Sequence, residues 1–108
     1  MNEQAFFEGF TRLTKQPELL EKVTGIYAGD MLSVIMRSAK PGDMLVTVTC
    51  NMNTIAVATM IELPIIVFTE GQVPDQAMIE RAELERIALF TTPFNTFQII
   101  SSWTKRGL

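Results

Sequence analysis

The sequence predicts a single α/β domain with a mainly parallel sheet of four to five strands flanked by helices. From Val23 onward, apolar strand-like runs alternate with helical stretches, which is the pattern of βαβ units. The most apolar run, residues 63–68, has apolar side chains on both alternating faces, as a central parallel strand does. The 108 residues, 47% of them hydrophobic, suit one compact core. We therefore assign residues 1–108 to one domain that includes the N-terminal segment 1–22.

Four strands and four helices are expected in alternation after the N-terminal segment. Within that segment, residues 10–14 form either a short edge strand or the end of a helix from Gln4, and the pattern leaves both open. The expected strands cover residues 23–28, 44–49, 63–68 and 87–91. The expected helices cover residues 31–38, 54–61 and 76–86, with a last helix beginning near Phe94.

Capping residues mark where three of these helices begin. Asp30 is a candidate N-cap, because its carboxylate can accept from the free amides of the helix over residues 31–38. Asn51 or Asn53 is the natural cap of the second helix. Pro74 suits the first position of the third helix, where its missing N–H is not needed.

The predicted helices differ in how many sides they bury. Residues 54–61 are apolar nearly all round, which predicts cover on two sides, whereas residues 76–86 carry a charged, solvated face. In the last helix, apolar side chains spread over an arc of about 220° at about 100° per residue. These side chains are Phe94, Phe97, Ile99, Ile100 and Trp103.

Excess apolar surface on a small domain commonly marks a subunit interface, so we expect a homodimer. The alternative is that the N-terminal segment, with Phe6, Phe7 and Phe10, covers this surface within one chain.

Charge and hydropathy exclude several classes of function. The net charge is −3 and the nine Lys and Arg residues are scattered, so no basic stripe favours nucleic acid. No apolar run approaches the roughly 20 residues needed to cross a membrane. The N-terminus carries an acid, Glu3, where a signal peptide has basic residues, and the single cysteine, Cys50, cannot form an internal disulfide. We therefore expect a cytoplasmic protein.

Catalytic and cofactor motifs are missing from the sequence. There is no histidine and no phosphate-binding P-loop, so zinc sites, His-assisted nucleophiles and ATPase chemistry have no basis. Glu70 and Asp75 resemble an acid/base pair, but Asp75 is explained by the helix dipole alone. Cys50 is expected to be a small buried hydrophobe, although the following helix could lower its pKa. We expect no catalytic residue, no metal and no cofactor.

Polar turns follow the predicted strands, at residues 49–54, 69–73 and 91–96. The carboxyl ends of parallel strands meet at one edge of a sheet, where helix starts hold small polar or anionic ligands. The candidate ligand-binding residues at this edge are Asp30, Asn51, Asn53, Thr69, Glu70, Gly71, Thr92 and Thr96. The competing interpretation is that these turns have only a structural role. In it, helix capping and turn closure account for Asn51, Asn53, Thr69, Thr92 and Asn95.

An ordered set of segments resembles the DRTGG-domain family. The segments are residues 28–33, residues 39–43 before a strand, residues 47–53 before an Ala-rich helix, Phe68-Thr69-Glu70-Gly71, Pro74-Asp75, and Thr91-Thr92-Pro93 with Thr96-Phe97. The resemblance covers about residues 23–100. Where the family often has Asp-Arg, this chain has Asn51-Met52, and the family's Thr-Gly-Gly is Thr69-Glu70-Gly71. Loss of the guanidinium and gain of a carboxylate weaken the case for an anionic ligand.

The resemblance implies a function without catalysis. Members are similar to the N-terminal domain of HPr kinase and are attached to phosphotransacetylases and CBS-domain pyrophosphatases, where they look like regulatory or dimerising modules. We expect no kinase domain in this chain. The resemblance therefore implies a regulatory or ligand-sensing module acting through a small metabolite, a nucleotide or a partner enzyme. The alternative, from another class, is a structural protein–protein interaction subunit without a ligand.

Overall fold

The computed structural model describes residues 6–15 and 19–107, which form one mixed five-stranded sheet with helices on both faces. The strands are β1 (Thr11–Arg12), β2 (Gly25–Ala28), β3 (Asp43–Thr47), β4 (Ile65–Phe68) and β5 (Ala88–Thr91). The α-helices are α1 (Leu32–Ser38), α2 (Met52–Met60), α3 (Gln76–Leu84) and α4 (Thr96–Lys105), and a 3₁₀ turn covers Leu19–Lys22. The predicted α/β class and single compact domain are confirmed.

The sheet order is β1-β5-β4-β3-β2, so the four parallel strands are neighbours in chain order. Since each crossover steps in the same direction and is right-handed, α1, α2 and α3 all lie on one face. β1 runs antiparallel to β5, with Thr11 opposite Thr91. Of the two alternatives for residues 10–14, the edge strand is therefore correct. The other alternative began at Gln4, which lies outside the described residues.

The first face of the sheet is covered by the three crossover helices. Their buried side chains pack on alternate residues of the strands, among them Leu45, Ile66 and Phe68. α2 lies between α1 and α3 and contacts both. This position explains why residues 54–61 are apolar nearly all round. The prediction that this helix is covered on two sides is confirmed.

The second face is covered by α4 and by the N-terminal aromatic residues. The indole N–H of Trp103 donates to the carbonyl of Phe6 at 2.8 Å, and Phe7 stacks on Phe90 with ring centroids 3.9 Å apart. The alternative in which the N-terminal aromatic residues cover the apolar surface within one chain is therefore partly correct. The cover is incomplete, because Phe97 remains 78% exposed and Phe94 39% exposed.

Two predicted helix starts are wrong. Asp30 does not cap α1: the N-cap is Met31, which makes no side-chain cap hydrogen bond. The Asp30 carboxylate is instead engaged by the end of β3. Pro74 is not the first residue of α3, because Asp75 is the N-cap and its carboxylate accepts from the Met78 N–H at 2.9 Å. Across the part of the chain that the structure describes, no helix is long and apolar enough to cross a bilayer.

Candidate functional site

The four strand-to-helix turns open at one edge of the sheet, which we call the carboxyl edge. It consists of residues 29–31, 48–51, 69–75 and 92–95, and all eight candidate residues lie in or next to these turns. With strands about 4.8 Å apart, the ends of β2 and β5 are about 14 Å from each other. The candidates therefore divide into two groups, one beside β2 and β3 and one beside β4 and β5.

Asp30 organises the first group. Its carboxylate accepts from the Val48 N–H at 2.9 Å and from the Thr47 hydroxyl at 3.2 Å. The Thr49 hydroxyl donates to the Asp30 carbonyl, and the Thr49 N–H donates to the Thr47 hydroxyl oxygen at 3.1 Å. Asp30 thus links the ends of β2 and β3, and its exposed carboxylate is already held by the protein. Thr47 and Thr49 were not among the predicted residues, although alternate threonines at a strand end are the signal for such a link.

The turn over residues 69–72 is the centre of the second group. The Gln72 N–H donates to the Thr69 carbonyl at 3.1 Å, and φ is +60° at Glu70 and +72° at Gly71. Positive φ at both central positions is the signature of a type I′ turn. The Glu70 N–H donates to the Phe94 carbonyl and the Gly71 N–H to the Thr92 carbonyl, each at 2.9 Å. The turn is therefore bonded to the turn after β5.

A type I′ turn favours glycine at both central positions because they have positive φ. In this chain, Glu70 occupies the first position at a cost of about 1 kcal/mol in backbone strain. Its side chain is exposed, so the chain places one carboxylate in solvent at the carboxyl edge.

Three of the four helix starts at this edge, those of α2, α3 and α4, are capped by the protein's own side chains. Asn51 accepts from the Asn53 N–H at 2.9 Å, and Asn95 forms a capping box with Gln98. The capping interpretation therefore holds for Asn51 and Asn95, whereas Asn53 lies inside α2 with an exposed side chain.

The three candidate threonines are less accessible than the other candidates. Thr69 and Thr92 are each 1% exposed, and Thr96 at the start of α4 is half-buried. The Thr92 hydroxyl accepts from the Phe94 N–H at 3.3 Å, so it closes the turn before α4. A ligand at this edge would reach Asp30, Asn51, Asn53, Glu70 and Gly71 before it reached the threonines.

The electrostatics of the carboxyl edge disfavour a bare anion. Its four turns contain three carboxylates, Asp30, Glu70 and Asp75, and no Lys or Arg. The alternative in which the following helix lowers the pKa of Cys50 is wrong: burial, and then the negative charge of Asp75, raise the pKa of this thiol. Cys50 instead packs against the core of the first face. Within the described residues, no group of His, Cys, Asp and Glu could hold a metal ion.

A groove that the sequence did not predict lies at the other end of the strands, where their amino ends meet. It has a volume of about 390 Å³ and is lined in part by Lys22, Glu62, Pro64 and Arg86. Glu62 and Arg86 follow the ends of α2 and α3 with φ of +59° and +60°, a conformation that favours glycine. For Glu62, a charged residue directly after the predicted helix 54–61 was the available signal. Arg86 was predicted to lie inside the helix over 76–86, but the helix ends at Leu84.

These features define a small α/β domain with a mainly parallel sheet, in which internal hydrogen bonds hold the turns at the carboxyl edge. The DRTGG domain family matches residues 11–105, and the chain belongs to this family. The fold is similar to the CBS and DRTGG domains of the regulatory region of Clostridium perfringens pyrophosphatase, crystallised with its activator diadenosine tetraphosphate. The TM-score is 0.72 at 14% identity, and the match covers 93% of this chain and 44% of the other. No curated protein matches the sequence significantly.

Proposed function

We propose that the protein is a non-catalytic regulatory module of the DRTGG type that acts as a homodimer and senses a small ligand at the carboxyl edge. The observation that carries the proposal is the family match over residues 11–105, together with the likeness in fold to a regulatory region. Large apolar side chains that the single chain leaves uncovered, among them Ile26 at 41% and Phe97 at 78% exposed, support the dimer. A partner enzyme would then receive the signal.

The chemistry of the carboxyl edge narrows the ligand class. Three carboxylates with no Lys or Arg in the same turns repel a phosphate, whereas hydroxyl, amide and cationic groups can donate hydrogen bonds to them. A nucleoside or nucleotide would therefore bind through its base and sugar, with any phosphate directed away from the turns. The eight predicted residues remain the proposed contacts, with Asp30, Asn51, Asn53 and Glu70 presenting the exposed side-chain groups.

The internal hydrogen bonds of the turns favour a second candidate function. The amides of Glu70 and Gly71 donate to carbonyls of the next turn, and Asn51, Asp75 and Asn95 cap three helices. An edge satisfied in this way also suits a protein–protein interaction subunit without a ligand.

A thermal-shift panel of nucleosides, nucleotides with and without Mg²⁺, and polyamines tests the two candidates, with molecular mass measured on the same sample. A ligand at a hundredfold excess over its Kd should raise the free energy of unfolding by about 2.7 kcal/mol. A flat panel on a folded dimer would favour the interaction subunit. A bulky residue at Thr69 is not a suitable probe, because this side chain is 1% exposed and the change would overpack the core.

Glu70→Gly and Glu62→Gly form a matched pair of probes. Both glutamates are exposed and have φ of +60° and +59°, but they lie at opposite edges of the sheet. Each change removes one negative charge and should raise the free energy of unfolding by about 1 kcal/mol, because glycine adopts this conformation without strain. For any ligand found, Glu70→Gly should change the Kd and Glu62→Gly should not. Equal effects of the two changes would place the ligand elsewhere.

A further inference from the structure

β2 is the outermost strand of the sheet on the side away from β1. It reads Gly-Ile-Tyr-Ala, without charge or proline, and Ile26 is 41% exposed. The outermost strand on the other side of the sheet is β1, which has two residues and includes Arg12. Proteins protect edge strands by shortness, charge, proline or a bulge. β1 has the first two of these protections, and β2 is a regular parallel partner of β3 with none of them.

The backbone groups of β2 that face outward follow from its pairing with β3. The Gly29 N–H donates to the Val46 carbonyl at 3.1 Å. Since successive residues of a paired strand direct their backbone groups to alternate sides, Tyr27 also faces β3. The N–H and C=O groups of Ile26 and Ala28 therefore point away from the sheet, where another strand can pair with them.

We propose that β2 pairs antiparallel with β2 of a second copy, which joins the two five-stranded sheets into one. The proposal rests on the homodimer of the proposed function and assigns its interface. A two-fold axis near Ile26 makes the contact self-complementary, as a closed dimer requires. It also brings the exposed Ile26 side chain next to Ile26 of the partner subunit.

Charge at the ends of the strand selects a second copy in antiparallel orientation. Lys22 and Asp30 are both exposed and lie four residues before and four residues after Ile26. Around a two-fold axis near Ile26, Lys22 approaches Asp30 of the partner subunit, and the same pair forms twice. The pair uses Oδ2 of Asp30, because Oδ1 accepts from Thr47 and Val48 within the chain. Parallel pairing would instead place like charges against each other, which is destabilising.

Amide hydrogen exchange on the unmodified protein tests this interface directly, with molecular mass measured on the same sample. In the dimer, the outward-facing amides of Ile26 and Ala28 should be protected to about the same degree as the inward-facing amide of Tyr27. A sample with the mass of one chain at micromolar concentration would overturn both the homodimer and this interface. A sample with the mass of two chains whose Ile26 and Ala28 amides exchange without protection would overturn the β2 interface alone.

Ile26→Pro and Ile26→Val are the matched variants for the strand contact. Proline removes an N–H that points outward, so the ladder to β3 is kept while pairing with a second copy is blocked. Circular dichroism checks that each variant folds. A folded Ile26→Pro protein should dimerise about a hundredfold more weakly, and Ile26→Val should dimerise normally. A folded Ile26→Pro protein with unchanged dimerisation would overturn the interface.

Lys22→Glu and Lys40→Glu test the charge pairing. Both lysines are exposed, but only Lys22 flanks β2. Lys22→Glu should weaken dimerisation about tenfold at low salt, because two ion pairs become repulsive, and the effect should shrink at high salt. Equal weakening by Lys40→Glu would show a general charge effect and contradict the pairing.

Discussion

The first face of the sheet is covered by α1, α2 and α3, each of which connects two neighbouring strands, whereas the second face is covered by the two ends of the chain. The hydrogen bond from Trp103 to Phe6 joins residues that are 97 positions apart in the sequence. On the first face, each helix packs beside the strands that precede and follow it in the chain. The second face therefore depends on long-range closure, and we expect it to open at a lower free energy than the first.

The largest expected effects come from two adjacent isoleucines of β4. Ile65 and Ile66 are both fully buried, but Ile65 packs on the second face and Ile66 on the first. Ile66→Ala should lower the free energy of unfolding by about 4 kcal/mol and Ile65→Ala by about 2 kcal/mol, because the chain ends can settle into the smaller space. Urea denaturation measures both values. Equal losses would show that the two faces are packed with the same rigidity.

A smaller effect is expected from Trp103→Phe, which removes one hydrogen bond while keeping an aromatic ring. The Phe6 carbonyl would lose a buried donor at 2.8 Å, so the free energy of unfolding should fall by about 1 to 2 kcal/mol. Amide exchange should accelerate in α4 while α2 keeps its protection. If α2 loses protection to the same extent, the two faces open as one unit and the comparison fails.

The smallest expected effect concerns Cys50 on the first face. Because its folded-state pKa is raised above the ordinary value of 9.0, the folded state keeps the thiol proton longer than the unfolded state does. Any stability from this shift is fully present below the ordinary pKa and is lost as the pH rises through the folded-state pKa. Cys50→Ala should flatten this part of the stability–pH curve. An unchanged curve would mean that another group causes the slope.

Asp75→Asn tests the cause of the shift separately. Asparagine still caps α3 but carries no negative charge, so the pKa of Cys50 should fall toward its ordinary value. The thiol should then react modestly faster with iodoacetamide at alkaline pH. A slower reaction would contradict the assigned role of Asp75.

Much of the first face could be predicted, because each of its helices packs beside the strands that precede and follow it in the sequence. Apolar periodicity located β2 to β5 and the helices between them, and Asn51 was identified as one of two candidate caps for α2. The family resemblance was likewise predicted and is confirmed over residues 11–105.

The candidate site was predicted only in its position. The eight residues do lie at the carboxyl edge, because parallel strands bring their carboxyl ends together. Their roles depend on partners that the local pattern does not contain. Asp30 was predicted to cap the next helix, but it accepts from Val48, 18 positions later.

The sequence by itself determined the class of fold, the order of the strands and helices along the chain, and the family. These depend on periodicity, capping and turn residues, which act over a few positions. The tertiary structure alone decided that the chain ends close the second face, that the amides of Glu70 and Gly71 are held by the next turn, and that Glu62 and Glu70 sit in left-handed conformations at opposite edges. Those features depend on which distant segments meet, because buried polar groups and apolar surface are satisfied by whatever the folded chain places beside them.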